Sequence, residues 1–167
     1  MKHWPIFLGR VALGLVFVYA AYTKLFEYTA EGWRLLPWIS FAATIQSYKL
    51  PLPDEAVVFA ARTLPGFELA LGVLLLLGVQ LRWVAAAASL LLLVFFGVLA
   101  RSFALGMEID CGCFGPGDPL TWKTLLRDGM LALLSVVVTI GAFLTRRKAG
   151  AVPAMTHAPQ PAEGRTE

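Results

Sequence analysis

The chain has 167 residues, of which 58% are hydrophobic and 15% charged, and its formal net charge is +3. Soluble domains are closer to half apolar and a quarter charged, so this composition is typical of a membrane protein. The basic residues are scattered and form no stripe interleaved with aromatic residues, which argues against nucleic acid as a partner. The two histidines, His3 and His157, lie near opposite ends, so no histidine-based catalytic or metal site is expected.

Four segments are long and apolar enough to cross about 30 Å of hydrocarbon, and each must be helical because bare backbone is not tolerated in lipid. They cover approximately residues 4–26, 60–81, 83–105 and 122–144. The sequence therefore predicts an all-α integral membrane four-helix bundle over residues 1–145. Residues 146–167 are rich in alanine, proline and polar residues, and are predicted to be a disordered cytoplasmic tail.

Two connections add detail to this prediction. The loop after the first span contains Trp33, Trp38 and Phe41, and such aromatic residues favour the membrane interface. Within that loop, residues 39–48 are predicted to form a short interfacial helix, which ends at the proline-containing segment 49–53. Residues 80–83 are predicted to be a tight turn that joins the second and third spans into an antiparallel hairpin.

Four spans place both termini on the same side of the membrane. That side carries Lys2, Arg10, Arg82 and the basic cluster at residues 146–148. The positive-inside rule makes it cytoplasmic, although Arg34, Lys49 and Lys123 fall on the other side. The loop between the third and fourth spans is therefore predicted to be extracytoplasmic, where cysteine pairs can be oxidised.

That loop contains the only two cysteines, Cys111 and Cys113, separated by Gly112. A disulfide across one residue closes a small strained ring, and this strain makes the bond easy to reduce. Because the closed loop is so short, the disulfide would also stabilise the fold very little. Thiol–disulfide exchange is therefore the favoured interpretation, with Cys111 and Cys113 as the catalytic residues. A purely structural loop and a Cu(I) site with Met107 are the alternatives. Structural zinc would need four ligands, so no metal site is included in the prediction.

Six charged residues are expected at the same end of the bundle as the cysteines, because successive spans alternate in direction. They are Lys24, Arg62, Glu68, Arg101, Arg127 and Asp128. The basic members could lower the pKa of the thiols. Glu68 and Asp128 are expected to face inward and to pair with basic residues, Lys24 or Arg101 in the case of Glu68. One alternative is that the basic side chains extend to the membrane interface, so that their charges stay in water. Another is that the ion pairs only stabilise the packing of the helices.

Several short segments, in this order, resemble the MauE/DoxX family of small four-helix membrane proteins, and the MauE branch in particular. They are residues 21–25 (AYTKL), 45–51 (IQSYKLP), 64–69 (LPGFEL) with Gly72, 110–115 (DCGCFG) and 127–128 (RD). The resemblance covers roughly residues 5–145, and its most specific part is the segment around the two cysteines.

The resemblance implies a multi-pass protein of the bacterial cytoplasmic (inner) membrane that is associated with redox chemistry. It implies help in the maturation of an exported disulfide-containing protein, by analogy methylamine dehydrogenase, together with a periplasmic thioredoxin-like (MauD-like) partner. The predicted function is thus a membrane thiol–disulfide oxidoreductase. The alternatives are a non-catalytic anchor of a quinone-linked oxidoreductase, as among DoxX-like proteins, and a small Cu(I)-handling or transport protein. No cofactor is assigned, and a quinone between the helices is a candidate acceptor.

Overall fold

The structure is a computed structural model that describes residues 4–29, 32–35, 38–114 and 118–149. In chain order it contains α1 (Trp4–Leu25), β1 (Phe26–Thr29), β2 (Gly32–Leu35), α2 (Trp38–Ser47), α3 (Asp54–Leu77), α4 (Leu81–Ala104) and α5 (Trp122–Ala149). Among the described residues, four helices are long and apolar enough to cross a membrane, namely α1, α3, α4 and α5. The predicted four-helix membrane bundle with an additional short helix, α2, is therefore confirmed.

Helices α1 and α3 pack closely because glycines lie where they cross. A Cβ atom added to Gly72 would lie 2.9 Å from the backbone nitrogen of Val18, and one added to Gly14 would lie 3.1 Å from the Gly72 carbonyl oxygen. Small residues at such positions let helix backbones approach in a membrane, where packing replaces the hydrophobic drive to associate. The backbones of α1 and α3 therefore approach closely at Gly14 and Gly72.

The remaining contacts close the bundle. Helices α4 and α5 are joined by a hydrogen bond of 2.8 Å between the hydroxyls of Ser89 and Thr139. One buried cluster takes residues from all four long helices, namely Leu13, Phe17, Leu71, Leu75, Val84, Ala85, Ala88 and Val138. Large apolar side chains such as Leu90 and Leu133 point outward and are mostly exposed. An apolar exterior around a packed interior is what a lipid-facing bundle requires.

The structure differs from the sequence prediction in the second span and its turn. Helix α3 covers Asp54–Leu77, whereas the span was placed at residues 60–81. The helix includes its polar start because Asp54 and Glu55 lie in its first turn, where the helix dipole favours acidic residues. It ends earlier because Gly78 adopts a left-handed conformation and its amide donates to the Leu74 carbonyl oxygen. The turn therefore lies at residues 78–80, not 80–83.

Two further features were not predicted. Strands β1 and β2 form an antiparallel pair in which Phe26 is opposite Leu35 and Thr29 is opposite Gly32, within a segment predicted to be loop. Helix α5 continues to Ala149, beyond the predicted end of the fourth span. The rest of the predicted tail, residues 150–167, lies outside the described residues.

Candidate thiol site

The two cysteines lie in the segment that joins α4 to α5, residues 105–121, which we call the cysteine loop. Its described parts form a narrow hairpin. The amide of Cys111 donates to the carbonyl oxygen of Asp118 at 2.8 Å, and the amide of Leu120 donates to that of Ile109 at 2.8 Å. An isolated antiparallel bridge joins Asp110 and Pro119. These backbone bonds hold Cys111 at a defined position above the bundle.

The short helix α2 supports the loop from one side. The hydroxyl of Tyr48, just after α2, donates to the carbonyl oxygen of Cys111 at 2.5 Å. Burial raises the pKa of Tyr48 above its ordinary value, so the phenol stays protonated and available as a donor. Gly112 has a φ of +63°, and a Cβ atom there would lie 2.5 Å from Cγ2 of Thr44. The cysteine loop therefore packs directly against α2.

The sulfur of Cys111 is surrounded by polar groups. The Cys111 residue is only 1% exposed. Its Sγ lies 3.5 Å from Nη2 of Arg127, 3.5 Å from Oδ2 of Asp118 and 3.9 Å from Oδ2 of Asp128. The backbone amide of Cys113 also points to it at 3.4 Å. A guanidinium and an amide directed at one sulfur are the features that stabilise a thiolate.

The two thiols are free and differ in environment. Cys111 is buried and Cys113 is half-buried. Hydrogen bonding with Cys113 lowers the pKa of Cys111, whereas the same bond, together with burial, raises the pKa of Cys113. The pKa of the Cys111 thiol is thus lowered and that of Cys113 is raised, and Cys113 is the more exposed residue of the two.

Arg127 links the cysteine loop to α5. Its Nη1 lies 2.9 Å from Asp118 in the loop, and its Nε lies 3.0 Å from the neighbouring carboxylate of Asp128. The guanidinium carbon also lies 4.5 Å from the centre of the Phe114 ring. Since one planar side chain contacts two carboxylates, a ring and a sulfur, Arg127 organises the site around Cys111.

Lys24 and Glu68 form a buried ion pair between α1 and α3. Nζ of Lys24 lies 2.6 Å from Oε1 and 2.8 Å from Oε2 of Glu68, and the two residues are 6% and 4% exposed. The ammonium also faces the rings of Phe41 at 5.1 Å and Phe95 at 5.5 Å. Of the two partners considered for Glu68, the structure selects Lys24.

A small cavity lies between this ion pair and Cys113. Its volume is about 40 Å³, and its polar lining comes from Lys24, Glu68, Cys113 and Asp128. Its apolar walls include Phe17, Phe95 and Leu99. The cavity therefore places four of the predicted site residues around one space in the interior of the bundle.

The contacts described for the two remaining predicted residues are with groups other than the sulfurs. Nη1 of Arg101 donates to the carbonyl oxygen of Tyr48 at 3.4 Å, so it contacts the support of the loop and not a thiol. Arg62 is exposed on α3, and its guanidinium lies 4.4 Å from the centre of the Trp38 ring. The contacts described for Arg62 do not reach a cysteine, so its expected influence on the thiols stays a prediction.

Sequence reasoning did not include Tyr48, Thr44 or Asp118 among the site residues. One signal for Tyr48 was present, because it lies in the 45–51 segment that carried part of the family resemblance. Nothing local indicated that Thr44 would pack under Gly112. Both contacts arise from docking of α2 against a loop that follows more than 60 residues later.

The chain matches known proteins along most of its length. The family described as methylamine utilisation protein MauE matches residues 2–141. A relative from Paracoccus denitrificans, named methylamine utilization protein MauE, is 35% identical over 135 residues, which are 79% of this chain and 67% of the relative. No solved structure matches the chain.

Proposed function

Because this chain belongs to the MauE family of multi-pass membrane proteins, we propose that it is a membrane thiol–disulfide exchange protein. The Cys111–Cys113 pair serves a thioredoxin-like protein on the extracytoplasmic side, and through it supports disulfide formation in an exported client. The name of the Paracoccus relative places that protein in methylamine utilisation. We propose that the present chain also acts in methylamine utilisation and that its client protein belongs to that system.

One observation carries the proposal, namely the unequal environments of the two sulfurs. Cys111 is buried beside Arg127, with 3.5 Å between Sγ and Nη2, whereas Cys113 is half-buried. In a disulfide exchange the more accessible sulfur forms the mixed disulfide, and the better stabilised thiolate leaves or returns. Cys113 fits the first role and Cys111 fits the second.

The exchange balances as follows. A thiolate of the reduced partner attacks Sγ of Cys113, the Cys111–Cys113 bond breaks, and Cys111 departs as a thiolate beside Arg127. The second partner thiolate then attacks the partner's own sulfur in the mixed disulfide, the bond between that sulfur and Sγ of Cys113 breaks, and Cys113 leaves as a thiolate. The partner leaves oxidised by two electrons, and the cysteine pair is reduced by two electrons. The reverse sequence transfers the same electrons and atoms in the opposite direction.

The proposed orientation follows from charge. Arg10 and Arg82 lie at the end of the bundle opposite to the cysteine loop, as does the basic cluster at residues 146–148. The positive-inside rule favours the cytoplasm for that end. Labelling of Cys113 in intact cells by a membrane-impermeant maleimide tests this directly. Labelling only after the cells are opened would contradict an extracytoplasmic loop.

A trapping experiment tests the assigned roles. A Cys111→Ser variant keeps the accessible sulfur and lacks the returning thiolate, so it should accumulate a mixed disulfide with the partner. Cys113→Ser, the matched control, should accumulate much less, because its remaining sulfur is buried. Non-reducing gels and mass spectrometry of the cross-linked peptide give the readout. Equal trapping by both variants, or none by either, would argue against these roles.

A growth experiment tests the setting. Strains that carry Cys111→Ser or Cys113→Ser in place of the native gene should fail to grow on methylamine as the carbon or nitrogen source, and should grow normally on other sources. A Glu108→Gln strain is the control, because Glu108 is exposed in the same loop. Normal growth of both cysteine variants on methylamine would reject a role for the pair in methylamine utilisation.

A further inference from the structure

Three potential metal ligands converge at the cysteine loop. Sγ of Cys111, Sγ of Cys113 and a carboxylate oxygen of Asp128 all lie within 4.8 Å of one another. Cys111 and Asp128 are buried, and Cys113 is half-buried. We propose that the reduced cysteines and Asp128 together bind a divalent thiophilic metal ion of the zinc class. The proposal needs only the dithiol, and does not rest on exchange with any partner.

The donor set selects the class of ion. Zinc accepts both thiolate and carboxylate ligands. Cu(I), the metal considered from the sequence, prefers soft sulfur donors and gains little from the oxygen of Asp128. The carboxylate becomes available only because α5 places Asp128 beside a loop that precedes it in the chain, with 3.9 Å between Oδ2 and Sγ of Cys111. This third ligand shifts the preference from Cu(I) to a divalent ion.

Three protein ligands leave one position of a tetrahedral ion open. Sites of this kind complete their coordination with water. The cavity of about 40 Å³ is bordered by both Cys113 and Asp128. A bound water occupies about 10–15 Å³, so the cavity has room for a fourth ligand. The arrangement is therefore that of an open site, in contrast to the closed four-ligand site of structural zinc, which the sequence disfavours.

The surrounding charge fits a divalent cation. Two thiolates and the carboxylates of Asp118 and Asp128 carry four negative charges, of which a divalent ion and the Arg127 guanidinium would together neutralise three. Arg127 is correctly placed, since its Nε lies 3.0 Å from Oδ1 of Asp128 and its Nη2 lies 3.5 Å from Sγ of Cys111. A hydrogen-bonding partner of this kind orients a ligating carboxylate and contributes to affinity.

Metal binding and disulfide formation exclude one another at this site. The ion binds both sulfurs as thiolates and releases up to two thiol protons, whereas the disulfide has no thiolate to offer. A zinc-class ion would therefore hold the pair reduced and withdraw it from exchange.

The test uses the full-length protein in detergent micelles, reduced with a phosphine and titrated with Cd²⁺. Sulfur-to-cadmium charge-transfer absorption reports thiolate ligation, and mass spectrometry after desalting gives the metal content. We expect one Cd²⁺ per reduced chain, displacement by Zn²⁺, and no binding once the disulfide has formed. Cys111→Ser and Cys113→Ser should abolish the charge-transfer band. Asp128→Asn should weaken binding by at least about tenfold.

Glu108→Gln is the matched control, because Glu108 is an exposed carboxylate in the same loop, and it should bind Cd²⁺ like the wild type. As a second measurement that needs no variant, Zn²⁺ should protect both thiols of the wild-type protein from alkylation. Absence of binding by the reduced protein would overturn the proposal. So would Cd²⁺ binding that survives oxidation, or equal affinities of Asp128→Asn and the wild type.

Discussion

The hydroxyl of Tyr48 donates a hydrogen bond to the main-chain carbonyl oxygen of Cys111, at 2.5 Å and across a separation of 63 residues. Both residues are buried, and they pack together with Leu99 in one apolar cluster. The bond attaches the cysteine loop to the end of α2. The position of the buried sulfur is therefore determined by a helix that lies outside the four spans.

Replacing Tyr48 with Phe should loosen the cysteine loop. The change leaves the Cys111 carbonyl without its donor in a buried setting, at a cost of roughly 1–3 kcal/mol. Alkylation of Cys111 under native conditions should accelerate, and the midpoint of thermal unfolding in detergent should fall. Tyr22→Phe is the control, since Tyr22 is largely exposed on α1. Equal rates of Cys111 alkylation in Tyr48→Phe and the wild type would show that the hydrogen bond does not hold the cysteine loop in place.

Replacing Gly112 with Ala should disrupt the same loop for two separate reasons. The backbone there has a φ of +63°, which costs about 1–2 kcal/mol for a residue with a side chain. The new methyl group would also collide with Cγ2 of Thr44. A Gly112→Ala, Thr44→Ser double variant removes the collision and keeps the strain, so it should regain part of the lost stability.

Thermal unfolding and cysteine alkylation measure the effect of the Gly112 change. Gly66→Ala is the control, because a Cβ at Gly66 in α3 meets nothing within 4 Å. If the double variant is no more stable than Gly112→Ala alone, then Thr44 does not contribute to the cost.

Replacing Lys24 with Met should destabilise the bundle by roughly 3–5 kcal/mol, because it leaves the Glu68 carboxylate buried without a partner. The Lys24→Met, Glu68→Gln double variant removes both charges and should recover much of this loss. Stability is measured by thermal or denaturant unfolding in detergent, as a double-mutant cycle. Arg62→Met removes an exposed cation and should have little effect. Strict additivity of the Lys24 and Glu68 changes would contradict a direct interaction.

Replacing Cys113 with Ala should raise the pKa of Cys111. Hydrogen bonding with Cys113 is the main cause that lowers this pKa, so its loss makes the thiolate less stable and moves the alkylation profile of Cys111 to higher pH. Cys113→Ser keeps a hydroxyl donor and should shift the profile less. The rates are measured by mass spectrometry in buffer containing a chelator. A shift to lower pH in Cys113→Ala would refute this account of the Cys111 thiolate.

Much of the architecture follows from local sequence. The four spans are visible in hydropathy alone, because a helix in lipid must present about 20 mostly apolar residues. The candidate site could be predicted only in part from local sequence. Glu68 could be expected to pair with a cation, but the choice of Lys24 over Arg101 depends on how α1 crosses α3. Arg62 could not be separated from the other basic residues, since its place on Trp38 is set by the docking of α2.

The sequence by itself determined that this is a membrane bundle of the MauE family with two cysteines separated by one glycine. Hydropathy and residue spacing reveal this because they are properties of contiguous segments. Only the tertiary structure decided that Cys111 is buried and Cys113 is more open, and that Asp128 and Arg127 meet the sulfurs while Tyr48 holds the loop. Most of these contacts join residues well separated in the chain. They depend on how the helices pack against one another, which no local pattern records.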